Sequence, residues 1–292
     1  MRRQARPLHA PAPFSAASTR SGVIGMRVRR TPVARAMALA TAAAGGTIAV
    51  VPACAHHESG LAAGSVGLFS YRAGRLAPLA RMQSDPARAG PWRGIRHGAH
   101  GFAARHVDFH PTQPWMYLCV ETQGEIRLYD YTADRIALEP RCIKSTLEGA
   151  PRGRSSQMAS AIHVHPNGRT VYVSNRAWDT ETRDSRQVFV GGVNDIAVFA
   201  IDQTSGEPSL IQHVDTLGIF PRTFGIDASG TTLVVGNQEP FDVKVGDETR
   251  RVPASLVVFG IGEDGRLTRL HKRDHPDNGE VCFWVGVVTL EG

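Results

Sequence analysis

Several common signatures are missing from this 292-residue chain. No two of its four cysteines (Cys54, Cys119, Cys142, Cys282) form a Cys-x-x-Cys pair, so neither a zinc ribbon nor a thioredoxin-like motif is written here. No apolar run reaches the ~18–20 residues of a membrane-spanning helix. No Gly-rich loop opens a helix after a strand, which argues against a nucleotide site. There is no Gly-x-Ser-x-Gly elbow for a serine hydrolase. Amphipathic helices of any length are also absent, and Gly and Pro follow no fixed period.

Acidic residues are missing from the N-terminal stretch. Residues 1–57 carry eight arginines and no Asp or Glu. The remainder holds 25 basic against 27 acidic residues, so the formal charge of +6 belongs to the N-terminal stretch. A nucleic-acid-binding body would need its basic patch on the folded part, and that class is disfavoured. Residues 1–45 are rich in Arg, Ala and Pro, a composition that buries little core. The segment around residues 26–55 has two readings. From Met26, a basic segment, an apolar stretch and Ala53-Cys54-Ala55 resemble an export signal. Alternatively Gly46 to Val51 is a strand of the body, the reading that its match to later repeats favours. On that reading residues 1–45 are an extension, disordered or targeting, and 46–292 are the folded unit.

The folded unit repeats. Residues 105–111 read Arg-His-Val-Asp-Phe-His-Pro and are followed by Trp-Met-Tyr-Leu-Cys-Val at 115–120. Residues 161–169 read Ala-Ile-His-Val-His-Pro-Asn-Gly-Arg and are followed by Val-Tyr-Val-Ser-Asn at 171–175. Residues 222–230 read Arg-Thr-Phe-Gly-Ile-Asp-Ala-Ser-Gly and are followed by Thr-Leu-Val-Val-Gly-Asn at 232–237. The anchors His110, His165 and Asp227 are spaced by 55 and 62 residues. Each unit reads strand, tight turn, strand, loop, strand, turn, strand, with Pro-Asn-Gly and Ala-Ser-Gly as turn chemistry. The spacing predicts an all-β propeller of four-stranded antiparallel blades, about four to five blades' worth, closed by a strand in 281–288. Residues 176–194 and 238–253 read as long loops on one face, natural places for binding.

These repeats resemble the seven-bladed lactonase propellers, the 6-phosphogluconolactonase-like family that also includes the fungal carboxy-muconate cyclising enzyme. The match is carried by residues 105–111, 161–169, 189–202, Pro221-Arg222-Thr223-Phe224 and Phe283-Trp284. It implies hydrolysis of a sugar-acid or related lactone that carries phosphate or carboxylate, with no cofactor. Against the family's seven blades this chain begins within what looks like the third. That predicts exposed blade edges and self-association through them.

Opening a lactone requires a base for water, a donor for the oxyanion and cations for the substrate's acid group. Arg105 and Arg222 occupy the same repeat position, and Arg176 closes a second strand. The three are the expected clamp for phosphate or carboxylate. His106, Glu121 and His163 are the candidates for proton transfer and for orienting a histidine or water. His110 and His165, beside turn prolines, read as structural, and Cys119 as core. The pair His106/His110 is badly spaced for a metal. His97, His100 and His56-His57-Glu58 lie in loops. The other readings are a non-catalytic binding propeller and a cycloisomerase acting on a carboxylated lactone.

Overall fold

The computed structural model describes residues 22–25, 38–42, 46–53, 65–72, 75–83, 103–132, 135–150, 157–276 and 281–288. The histidines at 56, 57, 97 and 100 and the Ala53-Cys54-Ala55 cleavage-like site lie wholly or partly outside those residues. β1 (Gly22–Gly25) precedes four blades of four strands each. The first blade is β2 (Ala38–Ala42), β3 (Gly46–Ala53), β4 (Ser65–Arg72) and β5 (Arg75–Gln83). The second is β6 (Ala104–Phe109), β7 (Trp115–Val120), β8 (Glu125–Asp130) and β9 (Cys142–Ser145). The third starts with β10 (Met158–Val164) and β11 (Thr170–Arg176). After a hairpin of β12 (Thr180–Arg183) and β13 (Arg186–Phe189), it resumes with β14 (Asp195–Ile201) and β15 (Pro208–Asp215).

The fourth blade repeats that plan. β16 (Pro221–Ile226) and β17 (Thr232–Asn237) come first, and β18 (Phe241–Val245) and β19 (Glu248–Val252) form the inserted hairpin. β20 (Ser255–Ile261) and β21 (Leu267–Asp274) finish the blade. β22 (Val285–Val288) pairs with β1. All described elements are strands, and every blade is antiparallel throughout, as the repeat pattern predicts. The strand expected from Gly46 onward is β3. β1 and β2 fall within the Arg/Ala/Pro-rich stretch, whose boundary at residue 45 is a proposal from composition.

The long loops are a correction. Residues 176–194 and 238–253 each fold back as a hairpin, and β13 and β18 pair in parallel into a separate sheet, β12-β13-β18-β19. Outside positions such as Thr180, Arg183, Glu248 and Arg250 are exposed. Polar residues of that kind carry no alternation that would announce a strand.

Inner strands are apolar on both faces because each blade packs against two neighbours. On β7, Met116, Leu118 and Val120 join Val66 and Leu68 of the first blade. Tyr117 and Cys119, of opposite parity, join Ile162, Val171, Val173 and Phe199 of the third. On β11 the same division sends Tyr172 to Phe224, Leu233, Val235 and Phe259 of the fourth. Polar staples repeat at the same intervals. The Tyr117 hydroxyl donates to the Gly206 carbonyl at 2.7 Å, and one blade on Tyr172 donates to Gly265 at 2.9 Å. His110 Nε2 meets the Gly168 carbonyl at 2.8 Å, and His165 Nε2 meets Gly230 at 2.7 Å. Their Nδ1 atoms accept from their own turns, Gln113 N at 3.0 Å and Asn167 N at 3.1 Å. Both histidines are therefore committed to joining blades. Cys119 is wholly buried, and that burial pushes its thiol up to about 12.

Candidate functional site

The repeat brings two positions of the second, third and fourth blades to one end. The first is near the start of the inner strand: Arg105, Ser160 and Arg222. The second closes or follows the second strand: Glu121, Arg176 and Gln238. All three inner strands break register there, between Ala104 and His106, Ala159 and Ile162, and Pro221 and Thr223. A bulge leaves one residue out of the ladder and re-aims its side chain, which is what Arg105 and Arg222 need in order to turn from the sheet.

Glu121 is buried and ion-paired with both Arg176 and Arg105, the latter at 3.4 Å. Arg105 Nε also donates to the Ser160 carbonyl at 2.8 Å, and Ser160 Oγ donates to the Arg222 carbonyl at 2.8 Å. Three blades are thereby linked through one chain of polar contacts. The Arg176 guanidinium is 4 % exposed as a residue and lies over the rings of Phe220 at 4.4 Å and Trp178 at 5.6 Å. Its Nε and Nη1 have no hydrogen-bond partner among the described residues. Arg222 stacks on Phe283 at 4.3 Å.

Phe220 holds a left-handed backbone, φ 64°, which is strained for a residue with a side chain. The Asn194 side-chain oxygen fixes it, accepting from Phe220 N at 2.8 Å and Ala177 N at 3.0 Å.

Burial and mutual repulsion set the charges. Burial lowers Arg176 to about 9, with Arg105 and Arg222 adding to the effect and Glu121 opposing it. Arg222 is lowered to about 10 by burial and then by Arg105. Both remain cations at neutral pH. Burial pushes His106 well below the ordinary imidazole value of 6.5, and Arg105, His163, Arg222 and Arg176 push it further. His106 is therefore neutral at pH 7, an available proton acceptor within a cationic field.

Arg105, Glu121, Arg176 and Arg222 thus converge, and His106 lies within their electrostatic reach. His163 also lies within electrostatic reach of His106. It sits three residues beyond Ser160, and its counterpart Asp108 sits three beyond Arg105. His163 Nδ1 is 3.4 Å from Asp108 Oδ2, and its ring meets Phe224 edge-on at 4.9 Å. Ser160, Trp178, Phe220, Gln238, Glu239 and Phe283 join the site without having been singled out as candidates for it. Register is the signal that finds Gln238, since it follows Asn237 as Arg176 follows Asn175.

Among the described residues no group of three or more His, Cys, Asp or Glu is placed to hold a metal. A separate cavity of about 730 Å³ lies beneath the hairpin sheet, lined by Phe189, Asn194, Asp195, His213, Leu217 and Arg250 among others.

A family model described as "Lactonase, 7-bladed beta-propeller" matches residues 93–247. The chain is 34 % identical over 178 residues to a 6-phosphogluconolactonase of Bacillus subtilis (strain 168), covering 59 % of this chain and 42 % of that one. It is 28 % identical over 178 residues to a 6-phosphogluconolactonase of Formosa agariphila, covering 59 % and 45 %. A crystal structure of a protein from Lactobacillus plantarum superposes with a TM-score of 0.53 at 22 % identity, over 81 % of this chain and 58 % of that one. That last likeness concerns the fold. The chain spans less than half the length of either of the two relatives.

Proposed function

The chain belongs to the lactonase family of seven-bladed β-propellers, and from that premise we propose that it hydrolyses the lactone of an acidic sugar. 6-Phosphogluconolactone, the substrate named by its relatives, is the leading member of that class. One observation carries the reading. Guanidiniums from two blades pair with one buried carboxylate, a third from the next blade feels it electrostatically, and two N–H donors of Arg176 are left without partners. Buried donors of that kind are costly unless something accepts from them, and a phosphate or carboxylate accepts in the fork geometry an arginine offers.

Arg176 and Arg222 hold the acid group. Glu121 positions Arg105 and Arg176, and its bonds to them leave it a poor choice for general base. His106 takes a proton from water as the water oxygen attacks the lactone carbonyl carbon. Arg105 faces the oxyanion of the tetrahedral intermediate. That intermediate collapses by breaking the ring C–O bond, and the His106 imidazolium returns its proton to the departing ring oxygen. The cationic surroundings that make His106 a modest base make its imidazolium a strong acid for this second step. His163, which faces Asp108 and acts electrostatically on His106, is given no proton-transfer step in this reading.

The test is enzymatic opening of 6-phosphogluconolactone above its spontaneous rate, with a His106→Asn control. Loss of 10²-fold or more in kcat, with KM little changed, supports the assignment. Wild-type kcat in His106→Asn would exclude His106 as the base.

A further inference from the structure

Gln238 stands at the position that Glu121 holds in the second blade and Arg176 in the third. The equivalence extends to the backbone. Glu121 N donates to the Ala103 carbonyl at 2.7 Å, and its own carbonyl accepts from Ala159 N at 3.0 Å. Gln238 N donates to the Phe220 carbonyl at 3.0 Å, and its carbonyl accepts from Cys282 N at 3.0 Å. The main chain of Gln238 thus ties together the two aromatic platforms of the site. One is Phe220, under Arg176, and the other is Phe283, which follows Cys282 and lies under Arg222.

Its side chain is committed at one end only. Gln238 is 7 % exposed, and its Nε2 donates to Glu239 Oε1 at 2.8 Å. A carboxylate oxygen can only accept, so this bond fixes which end of the amide is nitrogen. The other end, Oε1, is a buried acceptor with no hydrogen-bond partner among the described residues. Glu239 in turn acts electrostatically on Arg222. The amide therefore lies between the surroundings of Arg176 and those of Arg222, where the site offers unpaired donors from an arginine and one unpaired neutral acceptor. An anion fills the former and cannot fill the latter. A hydroxyl can.

We propose that Gln238 is a specificity residue whose side-chain oxygen accepts a hydrogen bond from a hydroxyl of the anionic ligand, selecting hydroxylated acids and their lactones over unhydroxylated ones of equal charge. The proposal rests on the reading that Arg176 and Arg222 hold the acid group. A site that hydrogen-bonds a substrate hydroxyl disfavours the analogue lacking it, because its own buried group is then left unpaired.

The experiment is calorimetric titration of the full chain with 6-phosphogluconate and with 6-phosphohexanoate, which carries the same acid groups and no hydroxyls. Wild type, Gln238→Met and Gln238→Glu are compared. Turnover of 6-phosphogluconolactone is measured separately on the same preparations. Wild type is expected to bind 6-phosphogluconate at least ~10-fold more tightly. Gln238→Met, of similar volume and without the acceptor, brings the two affinities within about 2-fold by weakening 6-phosphogluconate alone. Gln238→Glu restores an acceptor and keeps the preference, while its charge weakens both ligands; this variant decides the matter should Gln238→Met fail to fold. An unchanged preference in Gln238→Met, its loss in Gln238→Glu, or no wild-type preference or binding overturns the proposal. A Gln238-dependent preference in a protein that turns over no lactone would leave this inference standing and remove the hydrolytic one. Turnover with a preference indifferent to residue 238 would do the reverse.

Discussion

His110 in the second blade reaches the carbonyl of Gly168 in the third through Nε2, at 2.8 Å, and Gly168 can accept that approach only because it has no side chain. Its φ of 71° is left-handed, and a Cβ there would overlap the His110 ring. Gly168→Ala therefore combines backbone strain with a clash at an interblade joint. We expect a loss of about 2–4 kcal/mol, read as a lower urea midpoint with an unchanged slope. Gly149 is also left-handed, at φ 70°, but a Cβ added there would meet open space. It is the control, and Gly149→Ala is expected to lose about 1 kcal/mol.

Glu121→Gln removes the carboxylate between Arg105 and Arg176 and leaves two guanidiniums facing each other in a buried place. Breaking one side of such a pair costs about 3–5 kcal/mol. The predicted consequence is a marked drop in Tm. Millimolar inorganic phosphate should recover part of it, because an anion can take the place of the carboxylate. A Tm unmoved by the substitution, or a loss on which phosphate has no effect, would contradict the role given to Glu121.

Asn194→Ala takes away the acceptor that holds Phe220 and Ala177. Phe220 then has less to keep it in its left-handed conformation over Arg176. KM for 6-phosphogluconolactone is expected to rise about 10-fold, with a smaller change in kcat. An unaltered KM would separate Asn194 from the site.

Two histidines titrate in opposite senses. The Asp195 hydrogen bond, at 2.7 Å, raises His213 above its ordinary 6.5, with burial opposing it. Its stabilising contribution is complete below about pH 6.5 and fades as pH rises through the higher folded value. Burial and the neighbouring cations depress His106, so its contribution is present above pH 6.5 and fades as pH falls through the lower folded value. His213→Gln should flatten stability against pH on the alkaline side of 6.5, and His106→Asn on the acid side. For activity, kcat/KM should rise with pH along an acid limb centred below 6.5 and run level through neutrality. An acid limb centred above 6.5 would mean that His106 is not the titrating base.

Blades were readable because each joint leaves a mark in the sequence. Pro-Asn-Gly and Ala-Ser-Gly announce turns, and residues such as Tyr117 and Tyr172 recur at matching places in apolar runs. Arg105 and Arg222 were readable for the same reason, through their shared repeat position. The hairpin sheet was not, since β12 and β19 are exposed and show no alternation between faces. His163 stands out in the sequence as a histidine on the first strand of its unit. The His-Pro anchors and the bulges agree that Ser160 is the counterpart of Arg105 and His163 that of Asp108. Gln238 carries no charge and begins what reads as a loop, so only its register exposes it. Trp178, Phe220 and Phe283 are apolar residues whose partners are cations, a relationship that hydrophobic patterning does not encode.

The central claim is that arginines from different blades hold the acid group of a lactone while it is opened. It is tested most directly by comparing 6-phosphogluconolactone with unphosphorylated gluconolactone, in wild type and in Arg176→Met. Wild type is predicted to open the phosphorylated lactone with the higher kcat/KM. Arg176→Met is predicted to lower that value by about 10²-fold or more and to remove most of the difference between the two lactones. Equal rates on both lactones in wild type, or an Arg176→Met variant that keeps the preference, would contradict it.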